Sequence, residues 1–312
     1  MTTSPALEPG TPADATPSGG EAQQQSGGGL TLQIFRVFIE NRLAVVGLAI
    51  IVFAILFCWI GPLIYHTNQT DSQQAFLHSV ANARPSGSHL LGTDPTGFDI
   101  LGRIMYGGQI SLEVGFAAAG IATLLGVLVG AVSGFFGGLV DTILMRFVDV
   151  LLSVPILYLL IVLAVIFSPS VEILILVIGL TAWLVPARLV RGETLSLRVR
   201  EYVQAVRVMG GGGSRIVLRH IIPNTIGTII VNATFQVADA ILLLAALGFI
   251  GLGVPSPQTD WGTMLFNGTS YALDGYWWEI YPTGVAIVLV VVAFNFVGDA
   301  LRDAFEVRLQ RR

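Results

Sequence analysis

From Leu43 to Tyr65 the chain runs without one charged residue, and five further stretches of similar length carry at most two each. A helix needs about 20 apolar residues to cross a hydrocarbon core roughly 30 Å thick. On that measure the spans fall near 43–65, 112–137, 146–167, 171–190, 225–252 and 281–300. Polar connections fill 66–111, 138–145, 168–170, 191–224 and 253–280. Composition agrees: 54% of residues are hydrophobic and 12% charged, against roughly 25% charged in soluble domains. The expected fold is all-α, a polytopic membrane protein with six transmembrane helices.

Several chemistries are excluded at once. All 16 basic residues are arginine, so there is no lysine for a Walker A loop, a Schiff base or a Ser–Lys dyad. If ATP drives this protein, another chain binds it. The histidines His66, His78, His89 and His220 are scattered without metal-ligand spacing, and no HExxH or GxSxG is present. Cys58, the one cysteine, lies within an apolar run and cannot form an intrachain disulfide. The net charge of −4 identifies no partner, nucleic acid included.

Residues 1–29 are rich in Pro, Gly, Ser, Thr, Ala and Gln, and are expected to be a disordered cytoplasmic tail. With no basic n-region leading into a short apolar core, they are not expected to be a signal peptide; the run from Leu43 reads as an uncleaved signal-anchor. The layout expected is a first helix and extracytoplasmic loop over 30–111, a permease-like core over 112–300 and a cytoplasmic tail over 301–312. Arginine placement gives the orientation. With the N-terminus inside, fourteen arginines are cytoplasmic and only Arg84 and Arg103 are outside. Both termini are then cytoplasmic.

Three intramembrane patterns stand out. Gly126, Gly130, Gly134 and Gly138 form a ladder on one helix face, which favours close helix packing; glycine alone does not separate that from a moving interface. Asn232, Gln236 and Asp239 share a face of the fifth span, and an intramembrane acid is costly unless it faces protein or water. They line either a cavity or an interhelical hydrogen-bond network. Asp141, Arg146 and Asp149 read as a local ion-pair anchor.

The 191–224 segment is more specific. Tyr202, Val203, Val206 and Met209 recur at helical spacing, Gly210–Gly213 break the helix, and a second short helix is expected from an N-cap at Ser214 to Ile222, limited by Pro223. Two short helices at a sharp angle make a knob suited to a groove on a soluble partner. Outside, loop 253–280 holds no arginine and concentrates Asp260, Trp261, Tyr271, Tyr276, Trp277 and Trp278. Asp260 and Trp261 are candidates for a docking surface or a lid over the outer mouth; Trp277 and Trp278 fit an interfacial belt.

The 191–224 segment resembles the EAA loop of bacterial ABC-importer permeases, with Ala205, Gly210 and Pro223 at the family's spacing, Gln204 in the usual Glu place and Val206 at the second Ala. SHLLGTDPTGFDILGRIMYGGQISLEVG (88–115) is similar to the peptide-importer pattern LGTDxxGRDxLSRxxxGxRxSLxVG, with Phe98 and Gln109 in place of basic residues. AALGFIGLGVPSPQTDWGTML (245–265) and AFNFVGDALRDAFEVRL (293–309) resemble further signatures of the same subunits. The likeness covers about 32–309 and points to the "C"-type subunit of dipeptide and oligopeptide importers, whose relatives also carry nickel complexes, glutathione and other small solutes. It implies a coupling loop comprising Glu201, Tyr202, Gln204, Ala205, Arg207, Gly210 and Pro223. It also implies a sister permease, two cytoplasmic ATPases that bind ATP and Mg, an extracytoplasmic binding protein, and a bacterial plasma-membrane location. No cofactor or catalytic activity is expected in this chain. A channel or proton-coupled secondary transporter is the competing class, but no inverted repeat is visible and only Asp239 lies deep in a span.

Overall fold

A computed structural model describes residues 37–310, so the tail expected at 1–29 lies outside the described residues. The elements are α1 (Arg42–Ile64), α2 (Ser72–His78), α3 (Ile100–Phe136), α4 (Gly138–Leu152), α5 (Ile156–Phe167), α6 (Val171–Ala182), α7 (Leu184–Leu197), α8 (Glu201–Val208), α9 (Gly213–Ile216), α10 (Ile222–Phe249), α11 (Trp261–Ala272) and α12 (Tyr281–Gln310). An isolated bridge between Thr93 and Asp99 is the β pairing among the described residues.

Five unbroken segments are long and apolar enough to span a bilayer, and α4 with α5 forms a further pair bent by 84°. Helix directions show that the bent pair crosses. Gly126, Gly130 and Gly134 of α3 face Pro186, Val190 and Thr194 in the same order along α7, so α3 and α6–α7 run parallel. The chain between them must return to the opposite side. Cys58 and Gly61 of α1 meet Gly108 and Met105 of α3 in reversed order. On α10, Ile241 touches Gly115 of α3, while Gly213 near its start lies against Phe135. α1 and α10 thus oppose α3, and α12 opposes α10, with Phe305 at Gly227 and Gly298 at Phe235. Six crossings put both ends of the described chain on one side.

The third span departs from a single helix over 146–167. Pro155 has no N–H to continue the ladder, and its ring disfavours helix in the residue before it. α4 therefore ends at Leu152 and α5 leaves at 84°. Elsewhere prolines are absorbed without a break. Pro62 removes the partner of the Cys58 carbonyl, and Gln109 Nε2 of α3 donates to that oxygen at 2.6 Å. Pro186 likewise frees the Ala182 carbonyl, which accepts from Gln236 Nε2 of α10 at 2.8 Å. In each case a glutamine from a neighbouring helix replaces the lost bond, as apolar surroundings require.

Three rungs of the glycine ladder are packing devices. A Cβ on Gly130 would lie 2.9 Å from Val190 Cβ, and one on Gly134 would lie 2.7 Å from Thr194 Cβ. Gly138 is different: nothing lies within 4 Å, and φ of +66° and +54° at Gly137 and Gly138 turn the chain from α3 into α4. The anchor at Asp141, Arg146 and Asp149 is not local. Asp141 pairs with Arg191 and Asp149 with Arg188, both from α7.

α3 begins at Ile100, three turns before the expected 112, because Asp99 caps it by accepting from the Gly102 amide at 2.8 Å. Its 37 residues reach about 55 Å, longer than a hydrocarbon core of about 30 Å, and its first turns pack within a cap formed with the connection from α1. There the Asp99 carboxylate also accepts from the Tyr65 hydroxyl at 2.8 Å and lies 2.9 Å from His89 Nδ1. Burial, then the Asp99 hydrogen bond and charge, pushes the Tyr65 phenol up to about 12, so it remains a donor.

Candidate functional site

α8 forms as expected, and its end is set by Gly210. The Gly211 amide donates to the Val206 carbonyl at 2.9 Å and the Gly210 amide to Arg207 at 3.0 Å, with Gly210 at φ +83°. This is a Schellman closure, in which the left-handed residue strongly favours glycine. The second short helix is not separate. α9, a π-turn over Val217–Ile221 and α10 run on continuously from Gly213 to Phe249. Pro223 is tolerated because it falls in the first turn of α10, after the Ile222 amide has bonded five residues back to Val217. Gly212 caps this helix, and Ser214 lies within it. The knob is therefore one short helix and a glycine turn leaning on the base of a long one.

The apolar positions of α8 divide between two faces. Val203 is fully buried and Val206 partly so, in a small core with Ala131 and Phe135 of α3, Val190 of α7, and Ile216 and Ile221 below α10. Tyr202 and Met209, seven residues apart, face outward with Val208; Val208 is 87% exposed and Met209 77%. Glu201, Gln204, Ala205, Arg207 and Gly210 are exposed on the same projection, as is Pro223 at the base of the long helix. Gln204 Nε2 donates to the Arg198 carbonyl at 3.2 Å, a bond that a glutamate at this place could not make. Arg207 lies 5.4 Å from the Phe135 ring centroid.

The polar stripe of the fifth span also divides. Gln236 is buried and committed to Ala182, which makes it a structural member. Asp239 lies on a side of α10 that this chain leaves exposed, about 15 Å from the helix's C-terminal end. Asn232, seven residues earlier and so on the same side, is partly covered.

The outer pair does not form an exposed docking face. Asp260 is fully buried as the N-cap of α11, and Trp261 is 2% exposed. The Trp261 indole donates to the Ile104 carbonyl at 3.0 Å and its amide to Ser111 Oγ at 3.2 Å. Both residues pin α11 into the bundle against α3. Trp278 is likewise buried, whereas Trp277 is exposed as a belt residue would be. Sequence reasoning missed Gln109 and the Asp141–Arg191 pair, whose partners are 51 and 50 residues away.

Residues 99–311 match the binding-protein-dependent transport system inner membrane component, and 29–85 match the N-terminal transmembrane domain of oligopeptide transport permease C. The chain is 37% identical to an oligopeptide transport system permease protein of Haemophilus influenzae, covering 92% of this chain and 91% of that one. It is 38% identical to a dipeptide transport system permease protein of Bacillus subtilis, over 90% and 87%. A putative peptide permease of Brucella suis is 42% identical over 88% and 89%. In fold it is similar to a chain of the inward-facing MetNI methionine ABC transporter, with a TM-score of 0.51 and 21% identity over 63% of this chain and 93% of that one. The chain belongs to the family of binding-protein-dependent transport system inner membrane components, the permease subunits of ABC importers.

Proposed function

We propose that this chain is one of two permease subunits of a bacterial importer for di- or oligopeptides, and that the α8 projection docks on a cytoplasmic ATPase. One observation carries the docking reading: Tyr202, Val208 and Met209 stand exposed on a short helix whose other face is built into the bundle. Apolar side chains on a rigid, outward-held helix fit a groove on a partner. Peptide as the solute follows the relatives' names. ATP and Mg would be bound by two ATPase partners, since the chain has no lysine for a phosphate loop. A binding protein would deliver the solute from outside. The arginine distribution supports a plasma-membrane orientation with both termini cytoplasmic.

The uncovered side of α10 supports a place for the pathway. A carboxylate about half-way through a span is costly in lipid, so Asp239 and Asn232 face the sister permease or a water-filled passage between the two. Alternating access then needs two arrangements with different affinity for ATP and for loaded binding protein.

Affinity purification of the tagged chain from its native membrane tests this. A sister permease and ATPases should accompany it, and liposomes holding the assembly should take up peptide only with ATP and binding protein. Peptide flux through the chain alone, or purification without any ATPase, would overturn the proposal. Uptake of another solute but not peptide would overturn the substrate class alone.

A further inference from the structure

Asp141, one turn into α4, is held from two sides. Ser133 of α3 donates to its Oδ1. Arg191 of α7 forks onto it, Nε to Oδ1 at 2.5 Å and Nη2 to Oδ2 at 2.7 Å. Two turns along α7, Arg198 Nη1 donates to the Gly134 carbonyl at 2.9 Å, one of the acceptors left open where α3 ends. Arg200 is already the cap of α8. The coupling helix thus starts three residues after the last bond of the clamp.

α4 has little else to hold it. Val148 is its one fully buried residue, and its other pair, Asp149 with Arg188, is about half exposed on both sides, where ion pairs are worth little. The Asp141 carboxylate is 17% exposed, and a two-pronged arginine contact is strong and geometrically specific. Beyond Leu152 the helix breaks and α5 departs at 84°.

We propose that Asp141 is a positioning residue that locks α7, which leads directly into α8, to α4, so that displacement of α8 is delivered through α7 to the elbow at Ser153–Pro155. This rests on the docking role given to α8 above. The clamp makes α3's inner end, α4 and α7 one unit, and the interrupted ladder before Pro155 is where that unit can swing against α5. Asp141 touches no solute; it acts through Arg191.

The test uses the full assembly in liposomes, with peptide uptake and ATP hydrolysis measured in the same vesicles. Asp141→Asn should lower peptide moved per ATP on the order of tenfold, the scale of a lost charge-assisted bond, while ATPases still co-purify. Arg191→Lys keeps the charge without the fork and should give a smaller fall, which serves if the first variant fails to insert. Exchanging the pair, Asp141→Arg with Arg191→Asp, should recover most of the ratio. A parent ratio in both single variants would overturn the clamp alone, as would uptake and hydrolysis falling in proportion. Loss of ATPases from the parent assembly would overturn the docking role and the clamp together.

Discussion

Replacing Asp260 by alanine should destabilise the region around α11 rather than disturb a surface. Its Oδ1 accepts from the amides of Gly262 at 2.8 Å and Thr263 at 3.0 Å. Its Oδ2 accepts from the Val254 amide at 3.0 Å and the Thr263 hydroxyl at 2.6 Å. The residue is fully buried, so water does not replace the carboxylate, and three backbone N–H groups are left without partners. An N-cap substitution costs about 0.5–2 kcal/mol, and each further buried orphan about 1–3 kcal/mol. The loss is then about 3–5 kcal/mol, which for a chain of 312 residues lowers Tm by roughly 5–8 °C. Thermal unfolding of the detergent-solubilised protein, followed by tryptophan fluorescence, reads it directly, because Trp261, Trp277 and Trp278 all report from this region. Asp260→Asn keeps one acceptor oxygen and should fall between. A Tm within about 2 °C of the parent in the alanine variant would refute the reasoning. Rescue of its transport by extra binding protein would restore the outward docking role instead.

Two further outcomes follow from the same geometry. A Cβ added at Gly210 would meet nothing within 4 Å beyond its chain neighbours, so the main cost of Gly210→Val is the left-handed backbone, about 1–2 kcal/mol. It should cut coupled transport while membrane insertion persists, and Gly210→Asn, which tolerates that backbone, should retain most of it; full transport in the valine variant would show that the turn's shape is immaterial. In a Cys58-free chain, an impermeant thiol reagent on intact cells should label Leu273→Cys, whose parent residue is 99% exposed, and leave Ser214→Cys unlabelled. The reverse pattern would invert the topology.

Much of the architecture was legible in the amino-acid order because it is local. Apolar runs long enough for a bilayer, glycine at the end of α8 and a ladder of glycines each act through backbone geometry or solvent transfer within one segment. Their consequences appear in the structure: apolar spans, the Gly210 closure and close helix packing along the glycine face of α3. Even Pro155 was readable in principle, since a proline in an apolar run is a local break signal, but a span expected as one helix absorbed it.

The roles of the polar residues were decided by the tertiary structure. Gln236 and Asp239 are three residues apart on one helix, yet one is committed to the carbonyl that Pro186 frees and the other is left uncovered. Asp260 and Trp261 read as surface candidates in an acidic, aromatic loop, and packing against α3 buries both. Asp141 finds its arginine 50 positions away. A polar group inside a bilayer protein must meet a partner or face water, and which of these it does depends on what other helices bring beside it. Spacing along one helix assigns a face; only the neighbours assign what that face meets.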